Sequence, residues 1–198
     1  MIYFTADTHF WHRAVIDFCK RPVPNIGWMN REEACTAMND LLIARWNERI
    51  KPTDEVYHLG DFAFCGVQKA TAILEQLNGR KYWVRGNHDH ALANKVGHFF
   101  EWVKDYHVLR VHDKYLDEEE NEQQFHQSIV LMHFPILSWE NMAHGAWHLH
   151  GHCHGNLQDT GGMRKDVGVD TNNLYPYSYK EIKKIMVMRG VIPVDHHV

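Results

Sequence analysis

Five short stretches of this chain put metal-binding side chains at close intervals: Asp7-Thr8-His9, Gly60-Asp61, Gly86-Asn87-His88-Asp89-His90, His133, and Gly151-His152-Cys153-His154. Packing an amide, two imidazoles and a carboxylate into GNHDH costs free energy on desolvation, and something must compensate it. Asp7, His9, Asp61, Asn87, His133, His152 and His154 offer three carboxylate or amide groups and four imidazoles. That is too many for one zinc ion, which usually takes four ligands. It suits two ions sharing a carboxylate, ~3.5–4 Å apart, which clamp the attacking and leaving oxygens of a phosphoryl displacement. Nitrogen and oxygen ligands without thiolate fit manganese, iron or zinc. Asp7 and His9 are two residues apart, as are His152 and His154, so extended backbone would turn each pair to one side. Gly60, Gly86 and Gly151 each precede a ligand, where the chain must turn sharply.

The elements that position these groups read as strands and helices in alternation. IYFTA (2–6), EVYHL (55–59), KYWVR (81–85), SIVLM (128–132) and WHLH (147–150) are short apolar runs, the pattern of strands buried on both faces. Each delivers one of the five polar stretches at its carboxyl end, where open α/β sheets bind ligands. RKDVGVD (164–170) is a further strand candidate. Asn30 and Glu33 form a capping pair for a helix over 30–50, with Ala34, Met38, Leu42 and Trp46 on its apolar face. A second helix is expected over 67–78, stopped by Gly79. A third runs from the Ser178–Glu181 cap to about Met188. Weaker helical patterns cover 11–19 and 90–99. HVLRVH and SIVLMH flank the acidic stretch 117–124 and suggest an antiparallel hairpin with a solvated tip.

The length, 198 residues, fits one domain, 1–198, with no linker or repeat. A net charge of −4 carries no sign of a nucleic-acid-binding surface, although bound cations would reverse the local field. No apolar run approaches the ~20 residues of a membrane span. MIYFTADTH shows no basic n-region or cleavage site, so the cytoplasm is the expected compartment. Cys19, Cys35, Cys65 and Cys153 show no metal-binding or redox spacing and are expected to be reduced thiols.

DTH (7–9), GDFAF (60–64), GNHDH (86–90), MHFP (132–135) and GHCHGN (151–156), in this order, resemble the blocks of the calcineurin-like metallophosphoesterases. More narrowly, the chain is similar to the small single-domain phosphoesterases of bacteria and their phages, in which DTHFxH and VGVD also occur. The resemblance implies an α/β fold: a four-layer αββα sandwich of two mixed sheets flanked by helices. It also implies two divalent metal ions, with manganese first and iron, zinc or nickel as alternatives. Asp7, His9, Asp61 and His154 would hold the first; Asp61, Asn87, His133 and His152 would hold the second, with Asp61 bridging. A metal-bridging hydroxide would attack phosphorus in line. His88 would contact the phosphate, stabilise charge or protonate the leaving oxygen, so His88 and Asp61 are the expected catalytic pair.

The expected substrate is a phosphodiester: a small molecule, a nucleotide or a nucleic-acid end. A phosphomonoesterase or a protein phosphatase is the alternative, and GDFAF departs from the arginine-bearing GDxVDRG block of protein phosphatases. A non-catalytic scaffold of the same fold is a further reading, against which every ligand and His88 are present. A structural zinc domain lacks the cysteines. Substrate contacts are expected from Asn87, His12, Arg13 and Arg85, and Arg21 is another candidate phosphate clamp. Asp89 fits either a turn or the support of a neighbouring imidazole. His58, His148 and His150 read as core histidines. Trp11 and Trp139 flank metal loops, where core or rim packing is the expected role.

Overall fold

The computed structural model describes residues 1–24, 26–116 and 119–192. In chain order the regular elements are β1 (Ile2–Thr5), α1 (Arg13–Phe18), α2 (Arg31–Arg49), β2 (Glu55–His58), α3 (Val67–Leu74), β3 (Arg80–Val84), α4 (His90–Val96), β4 (Val103–Lys104), β5 (Tyr106–Leu116), β6 (Glu122–Met132), β7 (Trp147–His150), β8 (Arg164–Asp166), β9 (Tyr177–Ser178) and α5 (Tyr179–Met186). They build two mixed sheets, ordered β4-β3-β2-β1-β9 and β5-β6-β7-β8. The first is parallel except for β9. The second joins the antiparallel β5–β6 hairpin to parallel β7 and β8.

Apolar residues on alternate sides of each strand separate the molecule into layers. Phe4, Tyr57, Leu59 and Val84 of the first sheet meet Ile129, Leu131, Trp147 and Leu149 of the second. On its other face the first sheet packs Tyr3, Val56 and Trp83 against Ile16, Met38, Leu42, Trp46 and Ile73 of the helices. Over the second sheet, Trp139 and Ala146 from the segment after β6 cover Val130. Ile182 and Met186 of α5 join the layer between the sheets. The fold is therefore α/β, two mixed sheets with flanking helices.

Local chemistry explains most boundaries. The Asn30 side chain accepts the Glu32 and Glu33 amides while Glu33 accepts the Asn30 amide, so α2 begins on a reciprocal cap. Ser178 and Glu181 start α5 the same way. α3 ends at Leu74, earlier than its apolar pattern suggests. Trp46 Nε1 and Asn47 Nδ2 donate to the carbonyls of Asn78 and Gln76 and hold 76–78 against α2 instead. Gly79 (φ +91°) then turns the chain into β3. RKDVGVD is strand only over Arg164–Asp166; Gly168 bridges Ala6, and Val169–Thr171 forms a 3-10 turn. Of the acidic stretch 117–124, residues 117 and 118 lie outside the described residues, and Glu122 to Gln124 belong to β6. Among the described residues no helix is long and apolar enough to cross a membrane.

Candidate metal centre

The parallel strands of both sheets end at one place. Asp7 and His9 follow β1, Asp61 follows β2 and Asn87 follows β3; His133 follows β6, and His152 and His154 follow β7. The backbone there is not extended. Asp7 (φ +55°), His9 (+47°), Asp61 (+55°), His152 (+71°) and His154 (+49°) are all left-handed. The paired residues thus converge through tight turns, which corrects the expectation of extended pairs. Such a conformation costs an L-residue roughly 1–2 kcal/mol, and its concentration here marks strain held for a purpose.

The turns are locked together. Asp7, His9 and Phe10 amides donate to the carbonyls of Gly60, Asp61 and Phe62, so the loops after β1 and β2 run side by side. His58 Nδ1 accepts the Gly60 amide, its Nε2 lies 2.9 Å from Thr8 Oγ1, and that hydroxyl donates to the Phe62 carbonyl. Asp89, fully buried, accepts the amides of Asp61, Phe62 and Gly86 and the Trp83 indole N–H. Burial pushes its carboxyl pKa up and those amide donors pull it down. Asp89 therefore holds the Asp61 turn, a protein-backbone role rather than support for an imidazole.

Asp61 lies between two histidines of the site. His9 Nε2 and His133 Nε2 lie 3.7 and 3.6 Å from its Oδ2. On one side Asp7, His9 and His154 bring ligand atoms within 4.8 Å of one another, and on the other Asp7, Asp61 and His133 do. Asn87 Oδ1 stands 3.1 Å from both His133 Nε2 and His152 Nδ1. The His133 Nδ1–H points at the Leu59 carbonyl, 2.7 Å away, which leaves Nε2 free for an ion. Asp7 accepts the His152 amide and so ties the two sheets together.

The chemistry of these donors fits divalent cations. Both ring nitrogens of His9 are buried with no hydrogen-bond partner, and burial pushes its pKa far down. Burial drives the Asp7 carboxyl well up, with His154 opposing and Asp166 and Asp61 adding to it. A cation between them would take the lone pair of one His9 ring nitrogen and balance the buried carboxylates. Close approach is built in: a Cβ on Gly86 would run into Asp61, and one on Gly151 would lie 2.6 Å from Asp7 Oδ2.

His154 is oriented from behind. Its Nδ1 is 2.7 Å from Asp170 Oδ2 and 3.4 Å from Cys19 Sγ. Burial alone would depress its pKa, but Asp170, Cys19 and Asp7 raise it to about 10. Arg21 donates to both Asp170 oxygens and to the carbonyls of Asp7 and Thr8. Asp170, the last residue of VGVD, is a site residue that its sequence context does not single out, and Arg21 is not placed as the expected phosphate clamp. The guanidinium is buried and braces the ligand loops instead.

His88 lies exposed at the mouth, its amide donating to Asp61 Oδ1 and its ring 6.3 Å from His9. His12 is half-buried, stacked on Phe64 at 4.2 Å and 5.4 Å from the His9 ring. Arg13 pairs with Asp17, one turn along α1. Arg85 makes a two-pronged pair with Asp105. The structure thus brings the seven expected ligands, His88 and His12 together, and engages Arg13 and Arg85 with carboxylates.

A two-sheet α/β sandwich whose strand ends gather buried carboxylates and imidazoles in groups that could hold a metal ion is the arrangement of a metal-binding enzyme class. The family model for calcineurin-like phosphoesterase matches residues 1–171, and the chain belongs to that family. It is a metal-dependent phosphoesterase by family. An uncharacterized protein of Methanocaldococcus jannaschii is 33% identical over 199 residues, covering 96% of this chain and 94% of its own. The crystal structure of a protein of unknown function from Aquifex aeolicus shares the fold, with a TM-score of 0.61 and 23% identity over 93% of this chain and 98% of that one.

Proposed function

We propose that the protein hydrolyses a phosphodiester of nucleotide or nucleic-acid type, using two manganese ions. The observation that carries the reading is the pair of adjoining ligand groups, Asp7, His9 and His154 beside Asp7, Asp61 and His133, with Asp61 between His9 and His133 and His88 nearby. Divalent ions held there would supply a water of near-neutral pKa and offset charge on the phosphoryl oxygens. Asp61 then faces two half-sites, which Asn87, His133 and His152 complete on one side and Asp7, His9 and His154 on the other. The water oxygen bonds to phosphorus, the ester P–O bond opposite breaks, and His88 gives a proton to the leaving oxygen. Arg21 props the loops, and Arg13 and Arg85 sit in ion pairs. None of the three is left to take the extra charge of a monoester, which favours the diester.

The test is hydrolysis of nitrophenyl phosphate mono- and diesters by the manganese-loaded protein. The diester is expected to turn over faster, and Asp61→Asn to abolish the reaction. His88→Ala is expected to lower the rate ~10²–10⁴-fold, the usual effect of losing a general acid. Turnover of the monoester alone would transfer the reading to a phosphomonoesterase.

A further inference from the structure

Two phenylalanines at the metal centre neither hold an ion nor move a proton. Phe64 and Phe134 are 36% and 38% exposed, whereas Phe4, Phe10 and Phe62 are at most 1% exposed. Both rings are fixed against imidazoles of the site. Phe64 stacks on His12 and lies 4.7 Å from His88 and 5.2 Å from His9. Phe134 lies 4.8 Å from His152 and 5.0 Å from His133. His9 belongs to one half-site and His133 and His152 to the other, so one ring stands beyond each. Beside Phe64 a hollow of about 240 Å³ is lined by His88, Val67, Leu92 and Lys95. Phe18 is more exposed still, at 79%, so exposure alone marks no ligand; what sets Phe64 and Phe134 apart is that each is fixed against imidazoles of the site.

We infer that Phe64 and Phe134 are the specificity-determining walls of the site, each stacking on a planar base carried by one ester arm. The preferred substrate then has a nucleobase on both sides of the scissile phosphate. This rests on the phosphoesterase reading above. Ions bind a phosphate whatever it is attached to, so discrimination has to come from groups flanking it. Every base has a π face, which makes aromatic stacking tolerant of base identity. A monoester has one arm and engages one wall; a dinucleoside phosphate engages both.

Two measurements separate this inference from the reading beneath it. The first compares kcat/KM for a dinucleoside monophosphate and for the methyl ester of a nucleoside 5′-phosphate, in the manganese-loaded wild type, Phe64→Leu and Phe134→Leu. Leucine keeps apolar bulk and removes the π face. The ratio is expected to favour the dinucleotide and to fall roughly 5- to 100-fold, through KM, in the variant whose wall the methyl arm leaves empty, while in the other variant both substrates lose one stack and fall together. The second is saturation-transfer NMR on the zinc-loaded protein with adenosine 5′-monophosphate against ribose 5-phosphate. Base protons are expected to be saturated by the wild type and to lose that signal when both phenylalanines are leucine. Hydrolysis with an unchanged ratio in both variants overturns the inference and leaves the phosphoesterase standing. If no phosphoester is hydrolysed, the enzyme reading fails, and the base signal alone decides whether the walls bind bases.

Discussion

Asp89 engages both of its carboxylate oxygens with four donors around the Asp61 turn. Asp89→Asn replaces one acceptor oxygen by an amide NH2, which as a donor cannot accept the N–H groups it faces. Unfolding free energy is expected to fall by about 2–3 kcal/mol, since buried hydrogen bonds to a charged group are the expensive ones to break. A urea midpoint unchanged from wild type would contradict this. Asp170 acts at one remove, through the His154 imidazole. Asp170→Asn is expected to weaken metal binding ~10–100-fold, the usual effect of losing a ligand's supporting carboxylate. Competition with a chromophoric chelator measures it, and the folded far-UV spectrum should persist. The residues that gather at the strand ends stand out in the sequence because their chemistry is uncommon and they cluster after apolar runs. Asp170 and Arg21 do not, because an ion pair closing over 149 positions looks locally like two surface residues.

The loops after the strands are built from residues that resist their own conformation. Of the left-handed turns, those at Asp61, His152 and His154 adjoin a glycine, whereas Asp7 and His9 have none beside them and give no such signal in the sequence. Gly86 packs so closely on Asp61 that a methyl group has no room. Gly86→Ala is expected to cost about 1–3 kcal/mol by overpacking, and to lower metal occupancy as Asp61 is pushed aside. Thermal unfolding with and without manganese shows both effects. The same substitution at Gly66 meets nothing within 4 Å and should leave metal occupancy alone. Reciprocal caps made α2 and α5 readable, and continuous apolar runs made five strands readable. β4 and β9 are two residues each, too short for any periodicity, and exist because neighbouring strands offer them edges.

Across the whole molecule, stability is coupled to protons and to metal. His58 and His148 are buried and their pKa values are pushed down to about 3, chiefly by burial. Unfolded, each takes a proton near pH 6.5. Between those values the unfolded chain binds more protons, so the stabilisation is full above pH 6.5 and is lost as pH falls toward 3. Each histidine contributes a slope of about 1.4 kcal/mol per pH unit within that window. Urea unfolding of chelator-treated protein from pH 6.5 to 4.5 is expected to show the decline, and His148→Gln to make it shallower by one histidine's share. A metal held at the site would act across the two sheets, because Asp7, His9, Asp61 and Asn87 follow strands of the first sheet and His133, His152 and His154 strands of the second. Binding only to the folded state, an ion at a hundred times its Kd adds about 2.7 kcal/mol. Asp61→Asn should reverse the order of stabilities. Without metal the variant loses a buried negative charge that opposes Asp7 and should be at least as stable as wild type. With manganese the wild type should overtake it, because the carboxylate facing both half-sites is gone from the variant. Equal manganese increments in the two proteins would mean that the ions do not bind at Asp61.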